Sequence, residues 1–463
     1  MSTLFGGQGP GSTGVPINGE SDLLALFRSG EKAPQSFGVG VEYERLPLDR
    51  ATGRAAPYAT ADGSPAIEPF LERMVSQRGW TDQRENGRII ALEKAGTRVT
   101  LEPGAQVELS GRVHARLDAV AGELAGFLRE ADDLAAGMGI ALVGVGYHPF
   151  SDFSEIGWVP KGRYGIMGPY LATRGHLSHG MMKATAGCQI NLDYDTESDA
   201  MEKLRVAMSV SSVVTALCAN SPMSRGQANG FLSKRSHIWL HTDPDRCGLL
   251  AFALRPGARY SDYAAYALDV PMMFIVRDGK WVDMTGRTFR EFLSGRTDGL
   301  TPLLSDWEMH LTTLFPEVRL KAYVEVRGSD SASPEMILAQ TALWKGLLYN
   351  ETARRESWNL VAGETFHERV RFHRDVARLG LRARLGAVEA LEIAQTLIRI
   401  AESALGGDEA RYLEPMRRIL FDERRTPAES LLLRWKGEWG RDPVRLVESL
   451  RAESQRFAGR PAG

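Results

Sequence analysis

Cysteine is scarce in this chain. Cys188, Cys218 and Cys247 are the only three in 463 residues, and no two form a CxxC pair. That excludes a disulfide framework and a zinc knuckle, and it fits a reducing compartment such as the cytoplasm. Long apolar runs are missing as well: the most apolar stretch, "GIALVGVGY", is far too short to span a bilayer. The opening "MSTLFGGQGPGSTG" has no basic segment followed by an apolar core, so it does not read as a secretory signal. Nor is there an excess of positive charge. With 56 Lys and Arg against 58 Asp and Glu, the formal net charge is -2, which leaves no global field to hold nucleic acid or an anionic membrane.

Several familiar signatures fail on inspection. "GPGSTG" lacks the Lys-Ser/Thr ending of a phosphate loop and no strand precedes it. "GVGYHP" is too poor in glycine for a dinucleotide fingerprint. Ser221 in "ANSPMSRG" lacks the glycine-flanked elbow of a hydrolase serine. His237 and His241 lie four apart without the glutamate of an HExxH motif, in a segment that reads as a strand. Cys188 and Cys218 sit in apolar contexts, as packing thiols do.

What remains is an ordinary globular composition, 43% hydrophobic and 25% charged. Residues 1–20, rich in Gly, Pro and Ser, read as a flexible arm. From 21 to 330, extended segments alternate with amphipathic helices, among them "ARLDAVAGELAGFLREADDLAAGMG" and a helix from about Asp199 to Ala219. Strands are expected at "IALVGVGYHP" and near 235–242, 272–283 and 321–327. Beyond Ser331 helical periodicity takes over. The expected class is α+β, with a catalytic unit over 21–330 and a mainly helical region over 331–463 packed on it.

Four extended segments carry one unusually polar face. In "GVEYER", Glu42 and Glu44 alternate with Val41 and Tyr43. In "TLEPGAQVELS", Thr100, Glu102, Gln106 and Glu108 share a parity; in "CQINLDYD", Gln189, Asn191 and Asp193 do; in "KAYVEVRGSD", Tyr323, Glu325 and Arg327 do. One such stripe is what any one-sided antiparallel sheet shows. Four together form a basin of acceptor oxygens, and carboxylates gathered that closely repel one another unless a hard divalent cation joins them. An anionic substrate at such a site also needs cations. "VPKGRYGIMGPYL" supplies Lys161 and Arg163, and "NGFLSKRSHIW" supplies Arg235, whose planar fork suits a carboxylate or phosphate.

These stripes coincide with longer blocks: "GVEYER", "TLEPGAQVELSG", "PKGRYGIMGPY", "CQINLDYDTE", "ANSPMSRGQANGFLSKRSHIW", "YALDVPMMF", "DWEMHLTTLFPEVRLKAYVEVRGSD" and "TPAESLL". In that order, over roughly 36–435, the chain resembles the plant-type glutamate–cysteine ligases that proteobacteria share. The resemblance implies a glutamine-synthetase-like fold, an antiparallel sheet forming a funnel backed by helices. It implies that ATP phosphorylates the γ-carboxylate of L-glutamate and that the amine of L-cysteine then displaces phosphate, with Mg²⁺ (or Mn²⁺) as cofactor. Carried over by motif, Glu42, Glu44, Glu102, Glu108 and Glu325 are the expected metal ligands, with Gln189 and Asn191 on the same floor. Arg163 and Arg235 would clamp glutamate or phosphate oxygens, Lys161 and Arg327 nucleotide phosphates, and Tyr164 and Tyr266 would border the amino-acid pockets.

The partners implied are small molecules, neither nucleic acid nor membrane, in a monomer or homodimer. A different amine acceptor, or a catalytically silent homologue, are the alternatives; the second would have lost stripe carboxylates, and all five are present. The departures are "GVEYER" for the commoner "GTEHEK", Gly165 in place of an acidic residue, and Ala186 where plant members carry a redox-active cysteine. No plant-style disulfide switch is therefore expected.

Overall fold

The computed structural model describes residues 14–295 and 299–459. Its centre is a nine-stranded sheet: β1 (Val39–Asp49), β2 (Thr81–Glu85), β3 (Arg88–Lys94), β4 (Thr97–Leu101), β5 (Val107–Ser110), β6 (Ile140–Val143), β7 (Gly187–Leu192), β8 (Val318–Leu320) and β9 (Val324–Asp330). The strands run in the order β8-β9-β7-β1-β5-β4-β3-β2, and β6 pairs with the far half of β1. Every pairing in this sheet is antiparallel. The alternation seen in the sequence sorts the side chains. Val39, Val41 and Tyr43 of β1, with Ile190 and Leu192 of β7 and Val107 and Leu109 of β5, are buried in one apolar core, while the polar parity faces the other way.

The helices that position the site are α1 (Leu117–Gly137), α2 (Tyr164–Arg174), α3 (Glu197–Leu217), α4 (Lys234–Trp239), α5 (Pro334–Tyr349), α6 (Phe366–Leu379), α7 (Ala390–Leu405) and α8 (Pro443–Ala458). Side-chain caps fix several of their starts: Thr196 for α3, Ser233 for α4, Ser333 for α5 and Thr365 for α6. One cluster of buried residues runs from Leu23 to Ala458, so the C-terminal helices share the core of the sheet. A second cluster joins Leu46 and Ala141 to Trp435, Leu446 and Val447. No helix among the described residues is long and apolar enough to cross a membrane.

Four expectations are corrected. The segment near 235–242 is helical, because Ser233 caps it by accepting from the Ser236 amide. "TLEPGAQVELS" is a hairpin rather than one strand, turning at 102–106 with Ala105 at φ 69°. The strand after α1 stops at Val143. Of the expected arm, residues 1–13 lie outside the described residues. Val15 and Ile17 are tied down: the Ile17 amide donates to Pro302 O (3.0 Å) and Leu304 N donates to Val15 O (2.9 Å).

Candidate active site

Register places the acidic residues in rows across the polar face. Glu44 of β1 stands opposite Glu108 of β5, which stands opposite Thr100 of β4. In the next row Glu42 lies between Gln189 of β7 and Ser110 of β5. In the third, Asn191 of β7 lies between Gly40 of β1 and Glu325 of β9, which pairs with Arg319 of β8. The hairpin strengthens the basin, because folding β4 back on β5 brings Thr100 against Glu108, which along one strand would lie eight positions away.

The amides orient the acids. Asn191 Nδ2 donates to Glu42 Oε1 (2.9 Å), Gln189 Nε2 to Glu44 Oε1 (2.7 Å), and the Gly187 amide to Glu44 Oε2 (2.6 Å). The Thr100 hydroxyl donates to Glu108. Burial, then the neighbouring Glu102, raises the Glu44 carboxyl above the usual range; burial, then Glu42, Glu102 and Glu44, raises Glu108 further. Removing both protons into this crowd is costly without a counter-charge.

Cations sit around this floor. Lys161 Nζ donates to Leu101 O at the end of β4 (2.7 Å), next to Glu102. Burial, then Arg163, pushes its amine down to about 7. Arg163 Nη2 donates to Tyr164 Oη (3.0 Å) with its guanidinium 4.9 Å from that ring's centre. Arg235, on α4, is buried with Nη2 donating to Arg327 O (3.0 Å). It passes so close to β7 that a Cβ on Gly187 would lie 2.6 Å from its Nη2. Any side chain there would push the Arg235 guanidinium aside, and the same glycine's amide holds Glu44.

Glu325 does not line the cavity that the other four acids share. It is fully buried and bound by Arg319 (2.8 Å), Lys321 (3.0 Å) and Arg327. Burial would raise its carboxyl, but those three cations hold it well below the usual carboxylate range. Glu325, expected as a fifth metal ligand, is in this structure the counter-ion of a basic cluster. Tyr266 does not line that cavity either; its ring packs with Phe252 (5.9 Å) and Tyr263 (5.8 Å). The other candidates converge. Glu42, Glu44, Glu102, Glu108, Lys161, Arg163, Tyr164, Gln189 and Arg327 line one cavity of about 160 Å³; Asn191 and Arg235 do not line it but bond to residues that do, Glu42 and Arg327. A larger cavity of about 900 Å³, between α1, α5 and α8, is lined by none of the candidates.

Arg319 and Lys321 also line the basin and were missed. The signal was present: they extend the odd-numbered stripe Tyr323, Glu325, Arg327 backwards by two steps. Trp239, Phe274 and Phe315, which give the cavity an aromatic wall, had no signal in any local pattern.

The residues fit a divalent cation. Gln189 Oε1 and Asn191 Oδ1 are buried acceptors with no hydrogen-bond partner among the described residues, and they stand beside the mutually repelling acids. No three His, Cys, Asp or Glu side chains among the described residues form a ready-made cage. That suits Mg²⁺, which takes a few carboxylates and completes its shell with water and substrate phosphate.

Known structures share this fold. The glutamate–cysteine ligase of Francisella tularensis, solved in complex with AMP, superposes with a TM-score of 0.58 over 92% of this chain and 90% of that one, at 12% identity. A bifunctional glutathione synthetase from Pasteurella multocida gives 0.52 over 94% and 54%, also at 12% identity. The likeness is one of fold: an α+β architecture built on a large antiparallel sheet. In sequence, the chain is 38% identical over 431 residues to the chloroplastic glutamate–cysteine ligase of Brassica juncea, covering 91% of this chain and 82% of that protein. The Arabidopsis thaliana enzyme gives 37% over 431 residues, 91% and 81%. The profile of glutamate–cysteine ligase family 2 matches residues 38–449, and the chain belongs to that family. Its activity is the ATP-dependent formation of γ-glutamylcysteine in glutathione biosynthesis.

Proposed function

We propose that the basin on the polar face of the sheet is where glutamate is activated, with Glu42, Glu44, Glu102 and Glu108 holding Mg²⁺ against the phosphates of ATP. The observation that carries this is the convergence of four carboxylates with Lys161, Arg163 and Arg327 on one cavity. Bound Mg²⁺ would supply positive charge that offsets the negative charge developing on phosphate. The chain's own residues do the rest. Arg163 and Arg235 grip anionic oxygens and align glutamate's γ-carboxylate with the terminal phosphorus of ATP. Lys161 and Arg327 stabilise negative charge as ADP departs. The aromatic wall of Trp239, Phe274 and Phe315 keeps water from the acyl phosphate until an amine attacks its carbonyl carbon and phosphate leaves.

The catalytic unit in this reading is residues 21–330, with the helical region that begins at 331, described as far as residue 459, packed on it. The buried thiols support a reducing compartment, cytoplasm or plastid. The test is ADP release with glutamate, Mg²⁺ and a panel of amines. Cysteine is expected to give the highest kcat/KM, and preference for another amine would overturn the assignment of acceptor. Glu42→Ala is expected to fold and to lose ligation; unchanged turnover would refute its metal role.

A further inference from the structure

Behind Arg235 lies a line of buried polar groups that substrate binding does not use. Ser212 on α3 places Oγ 2.9 Å from His373 Nδ1 on α6. His373 Nε2 in turn lies at ion-pair distance, 3.3 Å and without hydrogen-bond geometry, from Oε1 of Glu317, which immediately precedes β8. All three are buried. The other carboxylate oxygen, Oε2, is directed at Gly328, where a Cβ would lie only 2.2 Å away. Position 328 must be glycine for Glu317 to reach past it.

Glu317 there borders a cavity with room for about one water molecule, whose other walls include Arg235, Trp239 and Arg327. Five side-chain atoms of the residues around it, Glu317 Oε2, Arg235 Nε, Arg327 Nε, Trp239 Nε1 and Ser236 Oγ, are buried without a hydrogen-bond partner among the described residues. They are one carboxylate acceptor, three N–H donors and a hydroxyl that can do either, complementary in kind and grouped on one small space. Arg327 and Trp239 line this cavity and the basin alike, so whatever fixes them here fixes them there. His373, and after it Arg235 and Arg327, outweigh burial and hold the Glu317 carboxyl below the usual range.

Two guanidinium groups turned toward one buried space repel each other and leave costly unsatisfied donors. A carboxylate opposite them, linked through one water, removes both penalties. We infer that Glu317, oriented by His373 from the C-terminal helical region, is a positioning residue that holds Arg235 and Arg327 by their Nε edges in the geometry that grips anionic substrate. This rests on the reading of Arg235 as a substrate-binding group. It gives α6 a functional task beyond completing the core.

The alternative is a buried ion pair that only stabilises the fold, and kinetics separate the two. Glu317→Gln keeps the shape and removes the charge; His373→Ala removes the orienting group; His373→Gln restores a nitrogen donor near the same place; Arg235→Lys is the reference. KM for glutamate, ATP and cysteine, kcat and thermal unfolding are measured for each. The inference expects Glu317→Gln and His373→Ala to raise about tenfold the same KM that Arg235→Lys raises, with kcat changed less than about threefold. His373→Gln is expected to recover most of that loss. A fall in unfolding temperature with every KM unchanged would overturn the inference, leaving a structural ion pair. If Arg235→Lys itself moves no KM, the reading of Arg235 fails, which is a different result from an unmoved Glu317→Gln beside an impaired Arg235→Lys.

Discussion

Glu44 and Glu108 occupy the same register position on adjacent strands, a like-charge pair facing each other across β1 and β5. Opposed carboxylates weaken a sheet by a few tenths to about 1 kcal/mol, and this pair is raised by burial and by its acidic neighbours. Such a pair persists where a cation reverses the sign of the interaction. Glu108→Gln is therefore expected to unfold about 1–3 °C higher than wild type in EDTA. It is also expected to lose most of the stabilisation that Mg²⁺ with ATP gives wild type. Thermal unfolding in the two buffers checks both.

Glu325 calls for the opposite result. Its carboxylate neutralises Arg319, Lys321 and Arg327 in a buried cluster. Glu325→Gln leaves three cations facing one another and is expected to cost about 3–5 kcal/mol of stability. The Mg²⁺ concentration for half-maximal residual activity is expected to stay put. Denaturant unfolding and a Mg²⁺ titration decide between counter-ion and metal ligand.

Lys161 makes stability depend on pH. Its folded amine sits near 7, whereas an unfolded lysine titrates near ~10.4. Between those values the unfolded chain binds the extra proton, so this group's contribution to stability rises with pH from about 7 upward and is unfavourable below. Lys161→Met is expected to remove that rise and to be the more stable protein near pH 6.5. Denaturation of both proteins at pH 6.5, 7.5 and 8.5 follows the difference.

The thiols are expected to be silent. Cys188 and Cys218 are buried, Cys247 partly so, and all three are free. Burial pushes Cys188 far up and Cys247 up to about 12, leaving no thiolate at neutral pH. A thiol reagent is expected to react slowly with the native protein and to count three cysteines after unfolding. Mild oxidant is expected to leave the activity unchanged, and a native disulfide by mass spectrometry would contradict this.

Strand parity made most of the basin legible before any coordinates. Glu42, Glu44, Gln189 and Asn191 needed only alternation, and register then placed them together. Other features depended on tertiary contacts that no local pattern reports. Glu325 shares the polar parity of its strand, and only the pairing of β8 with β9 brings Arg319 against its oxygens. Arg235 read as a strand residue because its helix is a single short segment set by one serine cap. Tyr266 was carried by motif alone, and packing sends it into an aromatic cluster. The Glu317–His373 contact joins residues that belong to different stretches of the chain, so it had no sequence signal.

The central claim is that the basin moves the terminal phosphoryl group of ATP onto glutamate. Glutamate labelled with ¹⁸O in its γ-carboxylate, turned over with ATP, Mg²⁺ and cysteine, tests it directly by mass spectrometry of the phosphate released. Transfer through a γ-glutamyl phosphate predicts one labelled oxygen in each phosphate formed, with ADP as the other product. Label in AMP, or unlabelled phosphate accompanying γ-glutamylcysteine, would contradict the account.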